Sequence, residues 1–363
     1  MLRRMSTEKL NEIVNKEKNE NERMYANLSK VNAGYSTFEK ILMSKMTKYN
    51  ILDAIIPDFE DKNIVNILLD LNSIINTVYN PQSIDETTAL VSKRISSTML
   101  ASYILNMVAH YKNYFITKKN KAVQVFVYYS FNDMYKDTFK VQHNEKYSSE
   151  TFRVLNNYIK AELKIVEDVL MFVPFCYIVN TNNHSTDLVP MLVELDNRGT
   201  EQTVIFGNNK LSAINMSFSD NVSLVDVKGI DSKYYDKSNI HEFLGYKVDD
   251  PEFFANNLHI VYSLLGYSKY NINKAKKITA NKILSLKSDI SAFNSLIEEN
   301  SEVFNTNMAF LNFKNRVVNM DSLEKDAIFY SKLIDPLNIV KKVEINTEYF
   351  SKYPVNIDFL FKE

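Results

Sequence analysis

Five short apolar runs, each followed by a longer stretch with helical character, set the strongest limit on how this chain folds. They are "IVNILLD" (64–70), "AVQVFVYYS" (122–130), "PFCYIVN" (174–180), "TVIFGNN" (203–209) and "NVSLVDV" (221–227). The first is rich in Ile and Leu, and short apolar runs of this kind suit parallel strands buried on both faces. The stretches between them carry helical pattern over 85–116, 149–170 and 185–199. Strands alternating with helices predict an α/β fold with a mostly parallel sheet flanked by helices. Before the sheet, 7–30 is highly charged with Ser6 or Thr7 as a helix cap, and 36–56 reads as a more apolar helix ending before Pro57. After it, the pattern predicts helices over 251–267 and 273–300. The tail "VEINTEYFSKYPVNIDFLF" reads as strand-like. The expected organisation is a helical arm (1–60), an α/β domain (61–235), a helical region (236–300) and a C-terminal extension (301–363).

The bulk properties exclude several classes. With 43 basic and 44 acidic residues the formal net charge is -1, so nucleic-acid binding must come from a local patch rather than from the whole molecule. The single cysteine, Cys176, lies in an apolar run and reads as core; there is no disulfide framework and no Cys/His zinc spacing. Neither a signal peptide nor an apolar run long enough for a membrane helix is visible, so the expected setting is a reducing cytoplasm or a virion.

The acids fall where an open parallel sheet places its sites, beyond the carboxyl ends of strands. Asp70 closes the first run, Asp133 follows the second, Asp187 opens the helix after the third, and Asp226 and Asp231 flank the end of the fifth. Gathered carboxylates are costly without a cation, and hard oxygen ligands suit Mg²⁺ or Mn²⁺. Each also has a plainer reading. Asp187 and the "DLNS" of Asp70 fit helix caps, and Asp133 fits a solvated loop. A second feature is basic. Lys269, Lys274, Lys276, Lys277, Lys282 and Lys287 occur with no intervening acid, and Tyr267 and Tyr270 lie among them. Such a stretch either neutralises phosphates or is a solvated helix face.

The order of these pieces resembles the PIN-like, flap-endonuclease-type 5′-nuclease family over roughly 64–290. "ILLDLNSII" is similar to its first strand and aspartate, "VFVYYSFND" to its second, and "HSTDLVPMLVEL" to the helix that usually opens Glu-Ala-Asp-Asp. "TVIFGNNKLSAI" is similar to the strand and turn usually written Gly-Asp-x-Asp, and "LLGYSKYNINKAKKITANKIL" to the helix-three-turn-helix DNA-binding element. The resemblance implies Asp70, Asp187 and Asp133 as metal-ligand positions and Lys269, Lys274, Lys276, Lys277 and Lys282 as DNA contacts. The departures fall on the chemistry. His184, Ser185 and Thr186 precede Asp187, and Asn208, Asn209 and Lys210 follow Gly207. Lys269, Tyr270 and Asn271 replace Ser-Asp-Asn, and Ala275, Lys276, Lys277 and Ile278 replace the glycine-rich hairpin. Asp70 and Asp187 remain as metal candidates, too few for a two-ion centre.

The expectation is therefore a viral or phage nucleic-acid-binding or scaffold protein on a degenerate nuclease fold. Two alternatives stand beside it: an active Mg²⁺- or Mn²⁺-dependent flap or 5′-3′ exonuclease, and a structural virion or assembly protein. DNA is the expected partner of Lys269–Lys287, and a protein partner that of the N-terminal helices and C-terminal extension.

Overall fold

The computed structural model describes residues 55–78, 99–130, 149–181, 186–197, 200–227, 233–267, 272–276, 278–285, 289–312, 355 and 357–362. Asp133, Asp231, Lys269, Tyr270, Lys277, Lys287, the N-terminal arm to residue 54 and most of the tail lie outside them.

The apolar runs are the strands of one sheet: β1 (Ile64–Asp70), β2 (Ala122–Tyr129), β3 (Cys176–Asn180), β4 (Gln202–Phe206), β5 (Val222–Val225) and β6 (Tyr234–Tyr235). Their spatial order is β3-β2-β1-β4-β5-β6. All neighbours are parallel except β5 and β6, which run antiparallel. The expected mostly parallel α/β sheet is thus present. The chain leaves β1 toward β2 on one side and later returns to β4 on the other, so β1 and β4 bracket the point where winding reverses. Such a point leaves a crevice at the carboxyl ends of the strands.

Alternate side chains of β1 feed two cores, because successive residues of a strand point to opposite faces. Ile67 and Leu69 pack with α1 (Leu71–Val78), α2 (Met99–Lys118) and α3 (Ser149–Leu170). Leu68, with Phe126 of β2, packs with α4 (Leu188–Asn197), α5 (Lys210–Asn215) and the helices after β6. Buried polar groups tie the layers. Glu162 of α3 accepts the Ala101 amide at 3.0 Å near the start of described α2. Lys112 donates to the Pro174 carbonyl at 2.9 Å.

Several expected boundaries move. The third strand starts at Cys176, because Phe175 takes a left-handed turn (φ 57°). The fourth stops at Phe206, because Asn209 caps α5 by accepting the Leu211 amide. The expected helix 251–267 is two, α6 (Ile240–Leu244) being followed by α7 (Pro251–Asn256) and α8 (Leu258–Leu265), with Asn257 between them. The expected helix 273–300 is also interrupted. Its first residues form a loop, followed by α9 (Ala280–Ser285) and α10 (Ile290–Glu299), the latter capped by Asp289. Beyond it, α11 (Ser301–Leu311) packs on α8. In the tail, Ile357–Leu360 forms a helical turn, α12, rather than a strand, docked on α2.

Candidate functional site

The reversal crevice is built first by register. Asp70 ends β1 opposite Tyr128 of β2, so both side chains leave the sheet on the face of Leu68 and Phe126. Asp70 is 1% exposed, and Tyr128 and Asp187 are fully buried. Asp187, in the turn that opens α4, lies near enough for its charge to act on the same Tyr128 phenol. Burial, then the charges of Asp70 and of Asp187, push the Tyr128 phenol well above its ordinary pKa. Both carboxylates therefore face one neutral phenol. Ser212 of α5 stands against that phenol and offsets part of the shift. The two hydroxyls approach without completing a hydrogen bond among the described residues.

Both aspartates are also engaged locally. Asp70 Oδ1 accepts the Ser73 amide at 3.2 Å and Oδ2 accepts the Ser73 hydroxyl at 2.7 Å, the geometry of an N-cap on α1. Asp187 Oδ2 accepts from Asn215 Nδ2 at 2.8 Å, and the same amide reaches the Asp187 carbonyl at 3.1 Å. Gly207, just past β4, fills the remaining side. A Cβ there would lie 2.9 Å from Asp70 Cβ and 3.3 Å from Ser73 Oγ.

This donor set does not fit a pair of Mg²⁺ or Mn²⁺ ions, each of which takes about six oxygens. Among the described residues, no three His, Cys, Asp or Glu side chains gather in a way that could hold a metal. Asp226, buried at the end of β5, acts instead on Tyr235, whose pKa it helps burial to raise. Asp133 and Asp231 lie outside the described residues.

Next to the aspartates the chemistry turns basic. Lys210 opens α5, three residues after Gly207, and α5 packs on α8. Lys210 is on the wall of a cleft of about 540 Å³ shared with Leu244, Tyr246, Tyr262, Tyr267 and Lys274, among others, and no acid lines it among the described residues. The buried Tyr262 ring meets Tyr246 edge to face at 6.3 Å and Tyr267 likewise at 6.3 Å. Gly266 (φ 71°) lets the chain double back there, and Tyr267 bridges Ile272 in both directions, at 2.8 and 3.1 Å. Buried Asn307 of α11 fastens the return by donating to the carbonyls of Ser263 and Asn273.

From this loop Lys274, Lys276 and Lys282 stand exposed while Ala275, Ile278 and Ile283 are buried. The lysines thus project from an anchored base. Lys269 and Lys277 lie outside the described residues. Sequence reasoning missed Tyr128, Asn215, Tyr246 and Tyr262. Each sits in an apolar or helical context that reads as core, and only the register opposite Asp70 marks Tyr128 as different.

No known family profile matches the chain, and no curated protein matches it. Among solved structures it is similar to the bacteriophage T5 flap endonuclease in a pseudo-enzyme–product complex with DNA and metal ions. That pair shares 11% identity and a TM-score of 0.49, over 77% of this chain and 100% of that one. The same phage's flap endonuclease crystallised with metal ions gives 12% and 0.46, over 76% and 100%. Its 5′-exonuclease with zinc gives 11% and 0.46, over 76% and 99%. What those proteins bind is a property of theirs; the chemistry of this chain rests on its own side chains. Among the described residues, no helix is long and apolar enough to cross a membrane.

Proposed function

We propose that this chain is a nucleic-acid-binding protein on a nuclease-like α/β sheet whose aspartates serve structure more than hydrolysis. One observation carries the reading. Exposed Lys274, Lys276 and Lys282 are set on buried Ala275, Ile278 and Ile283, next to a cleft whose described walls hold no acid. Lysines held this way neutralise phosphates without ordering a flexible arm first, and a net charge near zero leaves this patch as the electrostatic attractor. Lys269 and Lys277 belong to the same acid-free stretch of sequence. At the crevice, Asp70 is drawn to Ser73 and Asp187 to Asn215. That arrangement leaves the pair poorly disposed to hold the cations that phosphodiester hydrolysis needs.

A salt titration of duplex DNA bearing a single-stranded tail tests the reading. Log affinity should fall linearly with log salt, and removing Lys276 and Lys282 together should flatten the slope by about two units. A slope indifferent to both lysines sinks it in favour of a scaffold.

A second reading is favoured by Asp70 and Asp187 facing one phenol: a Mg²⁺- or Mn²⁺-dependent nuclease. Incubation with a labelled flap and Mn²⁺ separates the two. Cleavage abolished by Asp70→Asn supports the nuclease.

A further inference from the structure

The cleft between α5, α8 and the Gly266 loop is more specific than a phosphate ridge requires. Lysines alone hold a backbone, yet here three tyrosines meet in a chain of edge-to-face contacts, with Tyr246 and Tyr267 half-exposed on either side of buried Tyr262. Lys210 and Lys274 line the same cleft, and among the described residues no carboxylate opposes them. Its volume, about 540 Å³, lies within the range of small-molecule sites. The walls are fixed rather than adaptable. Gly266 touches the backbone of 272–274, Ala275 N donates to Leu264 O at 2.9 Å, and Asn307 clamps Asn273. Rigid aromatic faces beside two cations select a ligand with a planar π-system and a negative group.

We infer that this cleft takes one phosphorylated nucleoside, its base against Tyr246 and Tyr267 and its phosphate between Lys210 and Lys274. The unit has two sources of the same chemistry: one nucleotide of a single strand, or a free nucleotide. The first deepens the nucleic-acid-binding reading above; the second stands without it.

The test uses the full chain and three probes at one salt concentration: a 3′-labelled oligothymidylate, an abasic deoxyribose-phosphate strand of equal length, and radiolabelled thymidine 5′-monophosphate. The strand with bases should bind about tenfold more tightly than the abasic one, as expected for one stacked base. The Tyr246→Leu/Tyr267→Leu double variant should lose that difference while keeping abasic binding. Tyr267→Phe, which retains the ring, should keep it, and this separates lost stacking from lost folding. Equal binding of the two strands by the wild type overturns the cleft while leaving the lysine ridge intact. Binding of the mononucleotide but of neither strand assigns the cleft to a free nucleotide and removes the nucleic-acid reading. Failure of all three probes removes both.

Discussion

Gly207 touches Asp70: a Cβ added to the glycine would come within 2.9 Å of the aspartate Cβ and 3.3 Å of its Oδ2. The end of β4 is thereby fitted against the end of β1 at the point where the sheet reverses direction. No left-handed φ is involved at this glycine; the requirement is purely for space.

Gly207→Ala should therefore act sterically. The atom it meets belongs to the root of a buried side chain, which cannot swing aside. A loss of about 1–3 kcal/mol is expected, the usual cost of overpacking. Urea unfolding with an unchanged m-value measures it. A neutral result would mean that β4 shifts freely against β1.

Asp70→Ala should cost about 0.5–2 kcal/mol through loss of the α1 cap. Asp70→Asn keeps an acceptor for the Ser73 amide and should recover most of that. If both variants lose the same amount, the carboxylate's role is electrostatic rather than capping.

Gly266→Ala should be harsher than its surface position suggests. Its φ of 71° disfavours a side chain, and a Cβ would meet Lys274 N at 2.6 Å and Ile272 O at 2.7 Å. More than about 1 kcal/mol of stability should go. Base-dependent nucleotide binding should vanish with it, because Lys274 and Tyr267 are carried by the same turn. Retained base discrimination would contradict that.

Burial pushes the Cys176 thiol up to about 11 from 9.0, with Lys112 pulling partly back. A folded-state value above the unfolded one contributes stability that is complete below 9.0 and disappears as pH rises toward 11. The difference in unfolding free energy between wild type and Cys176→Ala should shrink over that window and stay level below it. In the folded protein the thiol should also resist a disulfide reagent at about pH 8, since the thiolate is the nucleophile.

His259 gives the acid counterpart. Its ring lies 4.6 Å from Phe218, its Nδ1 is 3.0 Å from Ser217 Oγ, and burial lowers its pKa below 6.5. Just below 6.5 the unfolded chain takes a proton that the folded chain refuses, so stability falls with pH there. His259→Gln should flatten that part of the pH–stability curve. An unchanged curve would show that the ring is solvated.

The sheet was legible because its strands are mostly apolar and short, and no helix pattern of that length competes. β6 was not, since Tyr234 and Tyr235 alone carry no alternation and pair only because the chain returns beside β5. The run of helical character after 273 hid its interruption. Alternating Lys274, Ala275 and Lys276 satisfy a loop anchored on a core as well as they satisfy a helix face. At the crevice, Asp70 and Asp187 were visible as acids at strand and helix ends. The Ser73 contact was legible as the "DLNS" cap, although a cap and a ligand place the same residue type at the same position; Asn215, the partner of Asp187, was not, since it comes from a distant helix. Tyr128 hid for the opposite reason: in an apolar strand, a tyrosine opposite another strand's last residue is indistinguishable from packing until register is known.

The division of β1 between two cores has a consequence for how this protein tolerates change. Odd-numbered side chains from Val65 to Leu69 serve one layer, while Leu68 and Asp70 serve the other. A single inserted or deleted residue upstream in the strand would invert that parity. It would drive the carboxylate into the greasy side and turn an aliphatic chain toward Tyr128. Lineages carrying this fold can therefore drift in side-chain identity far more easily than in strand length, so the spacing between Val65 and Asp70 should outlast the residues that occupy it.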